Sequence, residues 1–148
     1  MRSIVALLYL FLAGCATTGQ HETPAQLVAQ PGGKEAFTTT QPYDGAYRIV
    51  SELMTACFQR KLGITGTTQL TVTKDKAPAD ARISVVLSSM WGVRTLYAAT
   101  LAPIDAGTAV TVYSSNPQAY APMVKQLKAW LDQGDTRCPS SPAPESPS

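Results

Sequence analysis

Histidine is almost absent from this 148-residue chain, with His21 standing alone. A single histidine excludes a histidine-based catalytic triad and a histidine-rich metal site. Aromatics make up 7% and charged residues 15%, with no basic stripe interleaved with aromatics, which excludes nucleic acid as a partner. The formal net charge of +2 includes Arg2, and no acidic tail or polybasic patch is present. Gly-x-Ser-x-Gly, a phosphate-cradling glycine loop and Cys-x-x-Cys are missing as well. The carboxylates Asp44, Glu52, Asp75, Asp80, Asp105, Asp132 and Asp135 are scattered at positions that argue for no acid–base pair. The chain therefore reads as a non-enzyme, with no metal and no cofactor.

What is present is most specific at the N-terminus. Arg2 supplies a short positive region, residues 4–11 an apolar run, and Ala13 and Gly14 a pair of small residues. That layout is a secretory signal, and the run is too short to span a bilayer. The tetrad Leu12-Ala13-Gly14-Cys15 resembles the lipobox of bacterial lipoproteins. The resemblance implies cleavage before Cys15, acylation of its thiol and of its freed amine, and hence attachment to a membrane. One acyl chain binds reversibly, whereas each buried CH₂ adds about 0.8 kcal/mol, so three chains make release negligible. Ala16 stands where the resemblance places aspartate in inner-membrane lipoproteins, so the implied address is the outer membrane with the domain in the periplasm. The remainder of the chain is similar to small proteobacterial lipoproteins of unassigned function.

Lipid at Cys15 leaves Cys57 and Cys138 in an oxidising compartment, where a disulfide between them is the natural reading and two unpaired thiols the alternative. Closing a loop of about 80 residues is worth on the order of 4 kcal/mol in the chain-entropy model.

The expected organisation is a signal peptide at 1–14, a flexible tether at 15–35, a folded domain at 36–138 and a disordered tail at 139–148. The tether is polar and broken by Pro24, Pro31, Gly32 and Gly33, with His21 a solvated linker residue. The tail is a Pro/Ser-rich run with almost no apolar surface to bury. Within the domain, residues 37–40 suggest a short strand. Tyr43, Ala46, Tyr47, Val50, Leu53, Met54 and Cys57 recur at three- and four-residue steps, which predicts a helix over 42–62 capped by Gly63. Strands follow near 69–73, 82–88, 93–101 and 108–113, with turns at Trp91-Gly92 and Asp105-Ala106-Gly107. A second helix, capped by Ser115 or Asn116 and ended by Gly134, carries the stripe Tyr120, Met123, Val124, Leu127, Trp130 and Leu131.

Two one-faced helices and a one-faced meander predict an α+β fold, (β)-α-β-β-β-β-α. Both helices cover one side of an antiparallel sheet of four to five strands. This order resembles helix-grip-like domains, a likeness of fold that implies no activity. The disulfide is expected to pin the two helix ends together.

Two features suit binding. The open sheet face carries Arg82, Ser84 and Val86, and reads either as a solvated surface or as a docking face. Trp91 either folds back on the core or stands out as an anchor for a protein, membrane or peptidoglycan. The function expected is a non-catalytic protein-interaction or envelope-assembly module, with an envelope protein or a second copy as partner. The alternative is a carrier of a small apolar ligand held among Tyr47, Met54, Met123 and Trp130.

Overall fold

The computed structural model describes residues 21–63 and 67–139. The expected signal peptide at 1–14, Cys15 and residues 140–148 of the expected tail lie outside the described residues.

In chain order the elements are α1 (Pro24–Ala29), β1 (Gly33–Thr39), α2 (Tyr43–Phe58), β2 (Arg60–Leu62), β3 (Thr68–Lys76), β4 (Ala81–Ser89), β5 (Gly92–Ile104), β6 (Gly107–Ser114) and α3 (Tyr120–Gln133). The strands form one six-stranded sheet in the order β1-β6-β5-β4-β3-β2, with every pair antiparallel. The α+β class and the two helices on one face stand as the sequence suggested. The sheet, however, has six strands rather than four or five.

Alternation places Val72, Ile83, Val85, Ala99, Leu101, Val110 and Val112 on one face. The stripes of α2 and α3 pack on that face through Val50, Met54, Met123, Leu127, Trp130 and Leu131, all essentially buried. Burying large side chains of this kind contributes about 1.5–3 kcal/mol each relative to exposure, before the cost of ordering the chain. Met54, Met123 and Trp130 are thus members of one contiguous core, with Tyr47 packed at its margin.

Three boundaries differ from the sequence reading. First, α2 stops at Phe58. Gln59 is extended, and residues 60–62 pair with Leu70, Gln69 and Thr68 as an edge strand. Leu62 fits a helical stripe, yet as a strand residue it reaches the same core while its backbone bonds to β3. Gly63 caps no helix. Second, Ser115, Asn116 and Pro117 lie outside α3. The Asn116 side chain accepts from the amide of Gln118 in a turn, and the helix begins at Tyr120. Its other end is as expected, with Gly134 in the left-handed conformation at φ 65°.

Third, the fold begins well before residue 36. Residues 24–29 are a helical turn and a half with a capping box, in which Thr23 and Gln26 bond each other's backbone amides. Leu27 is fully buried against Ala98 and Tyr113, on the sheet face away from α2 and α3. A lone apolar cluster in a polar stretch gave no periodicity to read, so its docking depended on a surface formed by distant strands. β1 then runs from Gly33, where the ring of Tyr120 occupies the space a β-carbon would need.

Cys57 and Cys138 are joined, 81 positions apart, with Cα atoms 5.3 Å from one another. The bond does not pin two helix termini. Tyr43 of α2 lies beside the β3–β4 turn through its hydroxyl, which donates to the carbonyl of Ala77. The end of α3, in turn, lies beside the end of β1, where the hydroxyl of Thr39 donates to Asp132. The helices are therefore antiparallel. Residues 134–138 double back along α3, so that the carbonyl of Arg137 accepts from both Trp130 and Gln126 and Cys138 arrives at the end of α2.

Candidate interaction surface

The four residues singled out from the sequence do not form one surface. Ser84 and Val86 lie on the sheet face away from α2 and α3, but both are buried, Ser84 to 1% exposure. Ser84 pairs with Ala98, the residue on which Leu27 of α1 sits, so this part of the face is not open. Arg82 is half-buried between Asp75 and Thr100 in register. Its Nε has no hydrogen-bond partner among the described residues. His21 is likewise not a solvated linker residue. It is buried, and its carbonyl accepts the amide of Thr95 at 2.6 Å.

Trp91 is different. It does not fold back on the core but stands 89% exposed at the tip of the β4–β5 hairpin, beside Met90 at 78% and Val93 at 48%. Two-residue turns ordinarily carry polar or small residues, so an apolar pair here needs a reason other than turn chemistry. The turn closes between Ser89 and Gly92, and the hydroxyl of Ser89 accepts from the amide of Trp91. Met90 and Trp91 both keep negative φ because Gly92, at φ +119°, takes the conformation that reverses the chain. The apolar pair is therefore held outward by a regular turn.

The hairpin projects beyond its neighbour on one side. The last β5–β6 partners are Tyr97 and Ser114, so residues 92–96 extend past the end of β6. On the other side, β4 continues to pair with β3 as far as Ser88 and Gln69, and β3 pairs with β2. A single row across the sheet therefore reads Lys61, Gln69, Ser88 and Val93, and the next reads Arg60, Leu70, Leu87 and Arg94. Arg60, Lys61 and Arg94 are all exposed. Val93, Arg94 and the β2 pair belong to this end of the molecule, a grouping invisible in a sequence where residues 63–91 separate the strands.

Three carboxylates are engaged in separate ion pairs. Asp44 bonds Lys76 at 2.6 Å, Glu35 meets Lys128 at 3.5 Å, and Asp135 holds Arg137 at 2.8 Å. Arg137's hydrogen bonds hold the Asp135 carboxyl down to about 2, and Asp44 in turn raises Lys76. No three metal-ligating side chains cluster among the described residues. None of the helices among them is long and apolar enough to cross a membrane. Neither protein-family models nor curated proteins give a match to this chain.

Proposed function

We propose that this chain is a lipid-anchored protein of the cell envelope, held in the outer membrane through Cys15 with its domain in the periplasm. It acts there as a non-catalytic interaction module. The observation that carries this reading is the pairing of Cys57 with Cys138. It consumes both cysteines downstream of the lipobox-like tetrad and leaves Cys15 as the one thiol available for lipid. A disulfide that closes the main fold belongs to an oxidising compartment, which is where a lipoprotein signal delivers its cargo. The module's interaction element is the Met90-Trp91 hairpin tip, since α1 covers the β5–β6 part of the sheet face that would otherwise serve. An apolar tip flanked by exposed cations suits contact with another envelope component better than chemistry.

The test is the intact mass of the protein extracted from native membranes, before and after reduction. A chain beginning at Cys15 with added acyl chains, gaining two hydrogens on reduction, is the expected result. A chain that retains residues 1–14, or carries no acyl group, overturns the anchored reading. Two free thiols at Cys57 and Cys138 remove its principal support.

A further inference from the structure

We infer that the Met90-Trp91 hairpin tip inserts into the headgroup region of the same membrane that holds the lipid on Cys15. The inference rests on the lipoprotein reading above and names the partner of its interaction element.

Among the described residues the chain enters the domain at His21. His21 is fixed to β5 by the hydrogen bond from the amide of Thr95 to its carbonyl. From there the chain runs to Leu27, which sits on Ala98. That path leads from Thr95 towards Ala98, away from the hairpin tip, so the domain is entered from the tip's end. Cys15 precedes His21 by six positions. Six residues span at most about 20 Å when extended and roughly 13 Å as a flexible coil. Trp91 lies four positions beyond Thr95 along the strand, a distance of about 13 Å. The anchor's reach of about 13–20 Å thus covers the tip's projection of about 13 Å. A lipid in the bilayer at Cys15 holds Trp91 at the level of the headgroups.

The chemistry of the tip suits that level. Tryptophan has an apolar body and one polar N–H, the combination enriched at membrane–water interfaces. Met90 and Val93 extend the apolar contact on either side. Arg60, Lys61 and Arg94 stand one or two rows back, within about 14 Å across the sheet, placed to meet anionic headgroups. The opposite end of the sheet, at the β3–β4 and β5–β6 turns, carries Asp75, Asp80 and Asp105 with Asp44 beside it, interspersed with Lys74, Lys76 and Arg82. The far end is of mixed charge, so the exposed Arg60, Lys61 and Arg94 near the tip favour a tip-down orientation on an anionic surface.

The test uses the full-length acylated protein reconstituted into vesicles of phosphatidylethanolamine and phosphatidylglycerol, with or without bromine on the acyl chains. Tryptophan emission is compared between the native chain and Trp91→Phe, a change at an exposed position. Trp130, at 1% exposure in the core, is the internal reference. The expected result is a blue-shifted Trp91 component that bromolipids quench and that Trp91→Phe abolishes. Arg94→Glu combined with Lys61→Glu should reduce this quenching where phosphatidylglycerol is present and leave it unchanged where it is not. An acylated protein whose Trp91 emits as in water overturns the inference alone. A blue-shifted component that bromolipids leave untouched places Trp91 against protein, a partner or a second copy, and also overturns it. Absence of acyl chains in the mass spectrum removes the lipoprotein reading and this inference together.

Discussion

The indole N–H of Trp130 donates to the carbonyl of Arg137 at 2.8 Å, joining the most buried aromatic of the core to the return segment that follows α3. This contact sets the path by which Cys138 reaches Cys57. Removing the N–H with Trp130→Phe is expected to cost about 1–3 kcal/mol, from the lost hydrogen bond and the smaller ring together. Urea unfolding reads this as a lower midpoint with an unchanged slope.

Breaking the disulfide acts on the unfolded chain more than on the folded one. Cys57→Ser with Cys138→Ser frees a loop spanning 81 positions, and the expected loss is about 4 kcal/mol. For a domain of this size that corresponds to a fall in Tm on the order of 15 °C, measured by thermal unfolding. Reduction of the native chain should reproduce it, and a fall of only a degree or two would refute the constraint.

Acid sensitivity is assigned to one carboxylate in the return segment. Asp135 accepts from the backbone amide and the side chain of Arg137, which draws its carboxyl down from 3.8 to about 2 in the folded chain. A lowered carboxyl contributes stability above its unfolded value and loses it as pH falls through the folded one. The contribution of Asp135 should therefore be complete above about pH 4 and vanish towards about pH 2. Asp135→Asn flattens the stability profile in that window, and a slope unchanged by the substitution would exclude the assignment.

Two glycines at hairpin closures separate strain from space. Gly92 and Gly107 both have positive φ, at +119° and +138°. A β-carbon at Gly92 meets nothing within 4 Å, whereas at Gly107 it overlaps the carbonyl of Thr39 and crowds Thr40. Gly92→Ala should cost about 1–3 kcal/mol from backbone strain alone. Gly107→Ala should cost more, because β1 must also shift, and equal losses by denaturant titration would contradict that division.

Leu27 is the pin of α1. Leu27→Ala is expected to release residues 24–29 while leaving the sheet folded, because α1 docks through one fully buried side chain. Hydrogen exchange should quicken in α1 and at the amide of Thr95, with β4 and β6 still protected. Uniform acceleration across the sheet would instead make α1 part of the global fold.

Much of the architecture was legible because periodicity is a local property. The stripes of α2 and α3 and the alternation of β3, β4 and β6 each announce one buried face, and two helices on one side of a meander follow from pairing those faces. The cysteine pair was legible from arithmetic, since two cysteines downstream of a lipobox-like tetrad have one another as partners. The short elements were not. Residues 60–62 fall within the helix expected over 42–62, and only the free edge of β3 turns them into a strand. Residues 24–29 hold one apolar cluster whose burial site exists only after β5 and β6 have paired.

The sequence by itself determined the fold class, the two long helices and the hairpin turns through patterns read over a few neighbouring residues, and counting cysteines pointed to the pairing of Cys57 with Cys138. Tertiary structure alone decided that Ser84 and Val86 lie under cover while Trp91 stands clear. It also decided that Arg60 and Lys61 share sheet rows with Arg94 and Val93, and that His21 is bonded four positions from the tip. The reason is that exposure and proximity are properties of surfaces assembled from distant segments. A residue's neighbours along the chain fix its local conformation, but what covers it is set by elements that meet only on folding.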